Sequence, residues 1–373
     1  MKTVVIVGGG LAGLSAALLL NKYGFEVTVV EKKGYPLNKV CGEYVSNEVL
    51  PYLHSLGICI DVLNPSHLTK LSLTSVSGSK VSVGLDMGGF GLSRFKFDKL
   101  LYDKAVTNGV KFLTHVKVNE ISMDVNQFCI KLSDNTMLSA DVAIAAYGKR
   151  SVLDKMFKRP FFSARSPYLG VKYHVKTDFP QDVVQLDNFD GGYCGICKIE
   201  GEKYNLCYLV KNQRLKDHGS ISDMEKSVLF QNPHLKRLFT ESEFLFEKPE
   251  VINEISFSRK SLVEEHVLFC GDAAGMITPL CGNGMAMAIH SGKIVAETIF
   301  RHIQEDANLS KRTILEENYK RSWNSQFGMR LSTGRFIQNL FLQPGMSSLG
   351  ISTFKVLPGL LQLVVKKTHG RPF

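Results

Sequence analysis

The triplet Gly8-x-Gly10-x-x-Gly13 lies between a β-branched run, Thr3–Val7, and a stretch in which Leu11, Leu14, Ala17 and Leu18 recur at helical spacing. Short β-branched runs mark buried parallel strands, and residues 26–30 (EVTVV) supply a second. Strand, glycine turn, helix and strand make one right-handed βαβ unit. Gly8 permits a tight turn, Gly10 lets the backbone approach a diphosphate, and Gly13 lets helix and strand pack closely, with Ala12 completing the entry into the helix. The helix N-terminus offers free N–H groups and the positive end of a dipole to an anion. Glu31 closes the second strand 18 residues past Gly13, where its carboxylate can accept hydrogen bonds from ribose hydroxyls. It would repel a 2′-phosphate, so the expected nucleotide is FAD or NAD rather than NADP.

The remaining chain extends this unit and interrupts it. Residues 97–108 read as an amphipathic helix ended by Gly109, and 110–118, 128–132 and 140–146 as strands. From about 166 to 211 the sequence alternates as strands do, in YLGVKYHV, DVVQLDNF, YCGICKIE and YNLCYLV, which predicts a separate antiparallel sheet. A buried strand returns at 266–270, a helix follows at 284–301, and a helical tail begins near 312. The expected fold is α/β, a Rossmann-like nucleotide domain with an inserted antiparallel sheet and a helical C-terminal region. In residues, 1–75, 96–160 and 250–310 form the nucleotide domain, 76–95 and 161–249 the substrate domain, and 311–373 the tail.

At 373 residues with 44% hydrophobic and 21% charged residues, the chain has the composition of a globular protein with a large core. Its formal charge of +10 favours anionic partners. The basic residues are spread along the chain with no arginine-rich arm and no zinc-finger spacing, so a nucleic acid is not the expected partner. Eight scattered cysteines are too few for a disulfide scaffold. Cys194-x-x-Cys197 has no second pair at metal-binding spacing and lies in strand-like sequence, so both thiols read as small core residues and no metal is expected. A reducing cytoplasm fits this usage. The apolar N-terminus is broken by Gly8–Gly10 and runs on into a further strand, so it belongs to the fold rather than to a signal. No run of 18 apolar residues predicts a membrane span.

A second glycine-rich segment separates FAD from NAD. It runs Cys270-Gly271-Asp272-Ala273-Ala274-Gly275 and on through Pro279-Leu280-Cys281-Gly282-Asn283-Gly284-Met285. Asp272 stands at a carboxyl strand end, where open α/β sheets bind ligands. Gly282 and Gly284 open a helix at Met285, whose N-terminus can face the flavin and stabilise negative charge on it. GDAAG followed by P-x-x-GNGM resembles the second FAD motif of the para-hydroxybenzoate hydroxylase and geranylgeranyl reductase superfamily. Lys39-Val40-Cys41-Gly42-Glu43 resembles the loop that crosses the flavin there. Arg94-Phe95-Lys96-Phe97-Asp98 resembles its R-x-x-F-D segment, whose arginine contacts FAD. Val116 falls where a backbone amide meets the adenine, and Gly191–Val210 is similar to the substrate-domain hairpin. The resemblance departs at Tyr147, where relatives carry an aspartate before Gly148.

The resemblance implies an FAD-dependent oxidoreductase with NADH or NADPH as expected electron donor. Two reactions fit it: oxygenation of an electron-rich substrate, or reduction of an isoprenoid C=C bond. The reductases' Tyr-x-Trp-x-Phe-Pro segment is replaced here by Tyr193-Cys194-Gly195-Ile196-Cys197-Lys198, and their Cys-Gly-Gly by Cys41-Gly42-Glu43, which tilts the reading to a monooxygenase. A non-catalytic escort protein with a degenerate nucleotide fold is a third reading, opposed by the intact Asp272 segment. No general base stands out: Glu43 and Tyr44 beside the flavin loop are candidates for substrate contact, and Pro279 for lining the reaction pocket. His290 reads as a packed helix residue. The aromatic and aliphatic content of the hairpin and tail predicts a small apolar substrate, phenolic or isoprenoid. Apolar tail residues beside Lys366 and Lys367 suggest peripheral contact with a membrane as well as core packing.

Overall fold

The computed structural model describes residues 2–163, 166–303, 309–343 and 345–373. Thr3–Val7 lies between Glu26–Glu31 and Val142–Ala145, parallel to both, and the sheet continues through Val267–Phe269 on one side and Lys111–Thr114 on the other. Only Val263–Glu264, at the edge, runs antiparallel. Val4, Val5, Ile6 and Val7 are all buried, as a strand covered on both faces requires. A small antiparallel sheet, Val118–Asp124, Gln127–Leu132 and Met137–Ala140, contributes Phe128 and Ile130 to the same core as Ile144. The helix Leu11–Lys22 packs along the helix Gly284–His302 so tightly that a Cβ on Gly292 would overlap the carbonyl oxygen of Ala12. Only glycine permits this approach of two backbones.

The second sheet has nine strands. Tyr168–Lys176, Val183–Phe189, Gly192–Lys198 and Tyr204–Lys211 form its centre, at the four places where the sequence alternates. Three expectations are corrected. Ser66–Thr74 belongs to this sheet, so the first boundary falls before residue 66 rather than at 75. Glu250–Ile255 pairs with Tyr168–Lys176, so the return to the nucleotide domain comes after 255 rather than at 250. The sheet is also not wholly antiparallel, because Val183–Asp187 runs parallel to Lys70–Thr74. Alternation reports which face a residue takes and says nothing of a partner more than a hundred residues away.

Alternation decides what each face does. Leu169, Val171, Tyr173 and Val175 point into a core closed by the short helices between Asn212 and Glu241. Lys172 and His174, on the opposite face, turn toward the nucleotide domain. Farther along that sheet, Leu73 and Leu186 meet Ile351 and Leu361 of the C-terminal helices Met346–Val356 and Pro358–Thr368. The tail starts with one long helix, Leu309–Phe341, whose Trp323 and Phe327 enter the main core. The helix expected at 97–108 runs over Arg94–Thr107, starting three residues earlier because the Ser93 hydroxyl caps the Lys96 amide at 3.3 Å. Replacing Gly292 by alanine is expected to cost about 1–3 kcal/mol of stability by forcing the two packed helices apart, measurable as a lowered denaturation midpoint with unchanged secondary structure.

Candidate functional site

Gly13 is pressed against the Gly8 carbonyl, which brings the free amides of the helix Leu11–Lys22 to the tip of the first strand. Two cations stand over this turn: a Cβ built on Gly10 would lie 3.6 Å from Lys39 Nζ and 3.9 Å from Arg94 Nη2. Both are held on the buried Asp98, to which Arg94 Nε and Nη2 donate at 2.6 and 2.7 Å and Lys39 Nζ at 2.9 Å. Burial pushes the Asp98 carboxyl up, but Arg94 and then Lys39 outweigh it and hold the group below the ordinary carboxylate range. Two cations against one carboxylate leave a net positive charge facing amides that already attract anions. A nucleotide diphosphate fits that cradle.

Glu31 accepts hydrogen bonds from the Gly9 amide at 2.8 Å and the Lys33 amide at 3.1 Å. Val116 stands beside it, its N–H directed at the Glu31 carbonyl over a long 3.4 Å. Tyr35, which sequence reading passes over, donates to the Gly9 carbonyl at 2.5 Å and stacks on Tyr102 with ring centroids 4.2 Å apart. No spacing rule points to a tyrosine in that loop.

The loop 39–43 is fastened to the large sheet at every turn. Its carbonyls accept from Lys172 Nζ (at Lys39, 3.2 Å), Asn205 Nδ2 (at Cys41, 3.1 Å) and the Cys197 thiol (at Gly42, 3.4 Å). Glu43 has φ 54° and is fully buried. Its Oε1 accepts from Lys172 Nζ at 2.5 Å and the Arg94 amide at 2.8 Å, and its Oε2 meets His174 Nε2 at 2.7 Å. The expectation that Glu43 touches substrate is therefore corrected: its oxygens are engaged by the protein, and it anchors the loop. Lys172 and His174 were missed because polar residues on alternate positions of a strand read as a solvent face. The Cys41 thiol, beside the Arg94 guanidinium, is pushed up by burial, with Arg94 pulling the other way. Cys194 and Cys197 are three residues apart in one strand, so they point to opposite faces and share no ligand.

The second glycine segment comes back to the first. A Cβ on Gly271 would lie 2.7 Å from that of Ala12, so the two turns meet at the start of the same helix. Burial raises the Asp272 carboxyl, opposed by Lys260, Arg94, Lys149 and Lys39 in that order. Lys260 Nζ donates to the carbonyls of Lys149 and Asp272 at 2.7 Å each, and burial lowers it to about 8, as it does Lys149. Gly282 and Gly284 lead into the helix Gly284–His302, and Met285 is buried at its first turn. Tyr147 occupies the corner after Val142–Ala145, against Gly8, and donates to the buried Asp154 at 2.6 Å, which also binds Arg159 at 2.8 Å. The aromatic substitution thus joins a buried ion pair whose Arg159 also donates to the Ala273 carbonyl at 2.8 Å. His290 stacks on Phe373 at 3.8 Å, and burial lowers it to about 3, so it is a neutral packed residue.

From Gly282 a cavity of about 350 Å³ runs between the large sheet and the C-terminal helices. Its walls are aliphatic and aromatic, among them Leu73, Leu186, Phe341 and Phe354. Tyr44 packs against Gly282 at one end, where its hydroxyl stands 3.3 Å from His369 Nε2, and Thr353 is a further polar residue of the wall. Tyr44 is thus placed at the cavity as expected. Pro279 is exposed and is not part of the wall; Leu280 and Cys281, the next two residues, are. The expectation for Pro279 is corrected accordingly. His369 was missed because it is isolated in sequence, far from every motif.

Residues 1–317 match the family FAD_binding_3, described as an FAD binding domain, and the chain belongs to it. It is 22% identical over 365 residues to a digeranylgeranylglycerophospholipid reductase of Methanosarcina mazei, covering 91% of this chain and 84% of that one. Its fold resembles that of a geranylgeranyl bacteriochlorophyll reductase-like protein of Thermoplasma acidophilum, with TM-score 0.76, 19% identity and coverage of 98% and 92%. It also resembles PqsL of Pseudomonas aeruginosa, described as a probable FAD-dependent monooxygenase, with TM-score 0.70, 16% identity and coverage of 94% and 99%. The protein is an FAD-dependent oxidoreductase, which sets aside the escort reading.

Two expectations follow from the geometry. Lys39→Met removes one cation from the diphosphate cradle while Asp98 keeps Arg94. It should weaken flavin retention by tenfold or more, about 1.5–3 kcal/mol for a lost charged hydrogen bond, read from flavin absorbance per protein after dialysis. Glu43→Gln leaves Lys172 buried without its counter-charge. It should cost about 3–5 kcal/mol in denaturant titration.

Proposed function

We propose that this oxidoreductase is a monooxygenase that hydroxylates a phenolic ring carrying a long apolar chain. The observation that carries the reading is the apolar cavity with its one polar end beside the Gly282 turn. In this reading the diphosphate of FAD lies on Gly8, Gly10, Ala12 and Gly13 under Lys39 and Arg94. Glu31 takes the ribose, Val116 borders the adenine, Asp272 takes the ribityl chain, and Cys41, Gly42, Gly282, Gly284 and Met285 surround the ring system. Bound FAD supplies the redox chemistry, drawing two electrons from NADH or NADPH and activating oxygen. One oxygen atom replaces hydrogen on the ring as hydroxyl and the other leaves as water.

The chain's own part is to orient and to move a proton. His369 Nδ1 lies 3.1 Å from the Val365 carbonyl, which assigns the ring proton to Nδ1 and leaves Nε2 as an acceptor. Burial lowers the His369 pKa, so the ring is neutral at pH 7. Burial raises the Tyr44 phenol, so it stays a donor. A phenolic hydroxyl that takes the place of Tyr44 at Nε2 can pass its proton there while the Tyr44 hydroxyl donates to the resulting phenolate oxygen, which makes the ring more electron-rich when oxygen is transferred. The apolar walls take the chain and exclude water, each buried methylene adding about 0.8 kcal/mol.

A reductase of isoprenoid C=C bonds is the second reading, favoured by Cys41 in the flavin loop and by a cavity that an apolar chain can fill. The two are separated by following NADH and NADPH oxidation with a long-chain alkylphenol, with and without oxygen. Gain of one oxygen atom by the phenol, only in air, is the expected result. Saturation of a polyprenyl substrate under anaerobic reduction would overturn it. His369→Phe should lower kcat by about 10²–10⁴-fold, the range of a lost general base. The wild-type rate should hold through pH 7 and fall in acid below the ordinary imidazole range, as Nε2 becomes protonated, and this fall should be absent in the variant.

A further inference from the structure

The formal charge of +10 is not evenly placed. After Glu317 the sequence contains no aspartate or glutamate, while Lys320, Arg321, Arg330, Arg335, Lys355, Lys366, Lys367 and Arg371 contribute +8. The basic residues are dispersed, as the sequence suggests, but the excess is not, because the acidic residues stop. Within this region the helices Met346–Val356 and Pro358–Thr368 meet at a bend of 111°. Among the described residues no single helix is long and apolar enough to cross a membrane. Residues 355–360 are all exposed, among them Val356 at 79% and Leu357 at 58%, and Leu363 follows at 48%.

The exposed apolar face and the cavity share side chains. Phe336, Leu349 and Leu360 line the cavity, and they are 69%, 60% and 41% exposed. The cavity therefore opens through this face. Exposed Lys355, Lys366 and Lys367 flank it. Contiguous exposed apolar residues mark an interaction surface. Lys366 pairs with the exposed Asp86 at 3.0 Å, which leaves Lys355 and Lys367 as the cationic flank of the apolar residues, and that flank favours an anionic lipid surface.

We propose that the bend between these two helices docks on a membrane containing anionic lipid, with the cavity mouth facing the acyl chains. The apolar tip enters the interface and the lysines meet the headgroups. That a lipidic substrate passes from the bilayer into the cavity rests on the functional reading above. The docking itself does not.

The test uses the full FAD-loaded chain and vesicles of phosphatidylcholine alone or with phosphatidylglycerol, and no substrate. Co-sedimentation at least tenfold greater with the phosphatidylglycerol vesicles, weakening as salt rises, is expected. Val356→Asp with Leu357→Asp, neither of which lines the cavity, should abolish sedimentation at unchanged flavin content and melting temperature. Lys355→Gln with Lys367→Gln should remove the preference for phosphatidylglycerol. Failure of the wild type to sediment, or equal sedimentation of the aspartate variant, overturns the proposal. So does a concentration-dependent dimer that the aspartate variant abolishes without any vesicle binding, since a second copy would then cover the face. Because no turnover is measured, loss of the monooxygenase reading would leave this result standing.

Discussion

A buried carboxylate with three points of attachment joins the two halves of this protein. Glu43 belongs by sequence to the nucleotide domain, while Lys172 and His174 belong to the large sheet, and the Arg94 amide opens the helix that carries Asp98. Removing an isolated carboxylate from water costs several kcal/mol, so the arrangement is stable only with every partner present. It also holds Glu43 at φ 54°, a conformation that costs a non-glycine residue about 1–3 kcal/mol. The strain is tolerable because the carbonyls of Lys39, Cys41 and Gly42 are tied to the same sheet. The loop 39–43 is thus positioned by the large sheet rather than by the domain it belongs to. A shift of the sheet would move the loop with it.

Charge is arranged around that loop in two tiers. Asp98 holds Lys39 and Arg94 over the first glycine turn, and Lys260 is held by backbone carbonyls behind the second. Lys149 and Lys260 are lowered to about 8 mainly because burial disfavours their charge. Asp272, raised by burial, is eased by the same cations. The site is consequently under-neutralised in a direction that an anionic dinucleotide corrects. This accounts for cations that pair only partly with the protein's own acids.

Which of this could be read from sequence follows from the range of the interactions. The βαβ unit and the two glycine turns were readable because tight turns and close backbone packing impose glycine at fixed local spacings. The four strands between Tyr168 and Lys211 were readable because one buried face imposes a period of two. The joining of Ser66–Thr74 to that sheet was not, since its parallel partner is chosen by packing across more than a hundred residues. Glu43 was found but misread, because a charged residue beside a cofactor loop looks like a reagent until its partners are seen. His369 was invisible for the opposite reason: nothing local distinguishes it, and only the folded tail brings it to Tyr44.

The tail therefore does more than cover the core. Its long helix packs Trp323 and Phe327 into the nucleotide domain, and its last helices build the cavity wall and deliver His369 to the end nearest the Gly282 turn. Under the proposed function, substrate position is fixed by two unlike forces. Apolar burial along the walls is strong but non-directional and lets a chain slide. The Tyr44–His369 pair at the Gly282 end would stop that sliding, because a hydroxyl left unpaired in an apolar site costs about 1–3 kcal/mol. In that reading a ring bearing a hydroxyl and a chain satisfies both at once, with the chain toward the exposed Phe336, Leu349 and Leu360. A chain alone satisfies only the first.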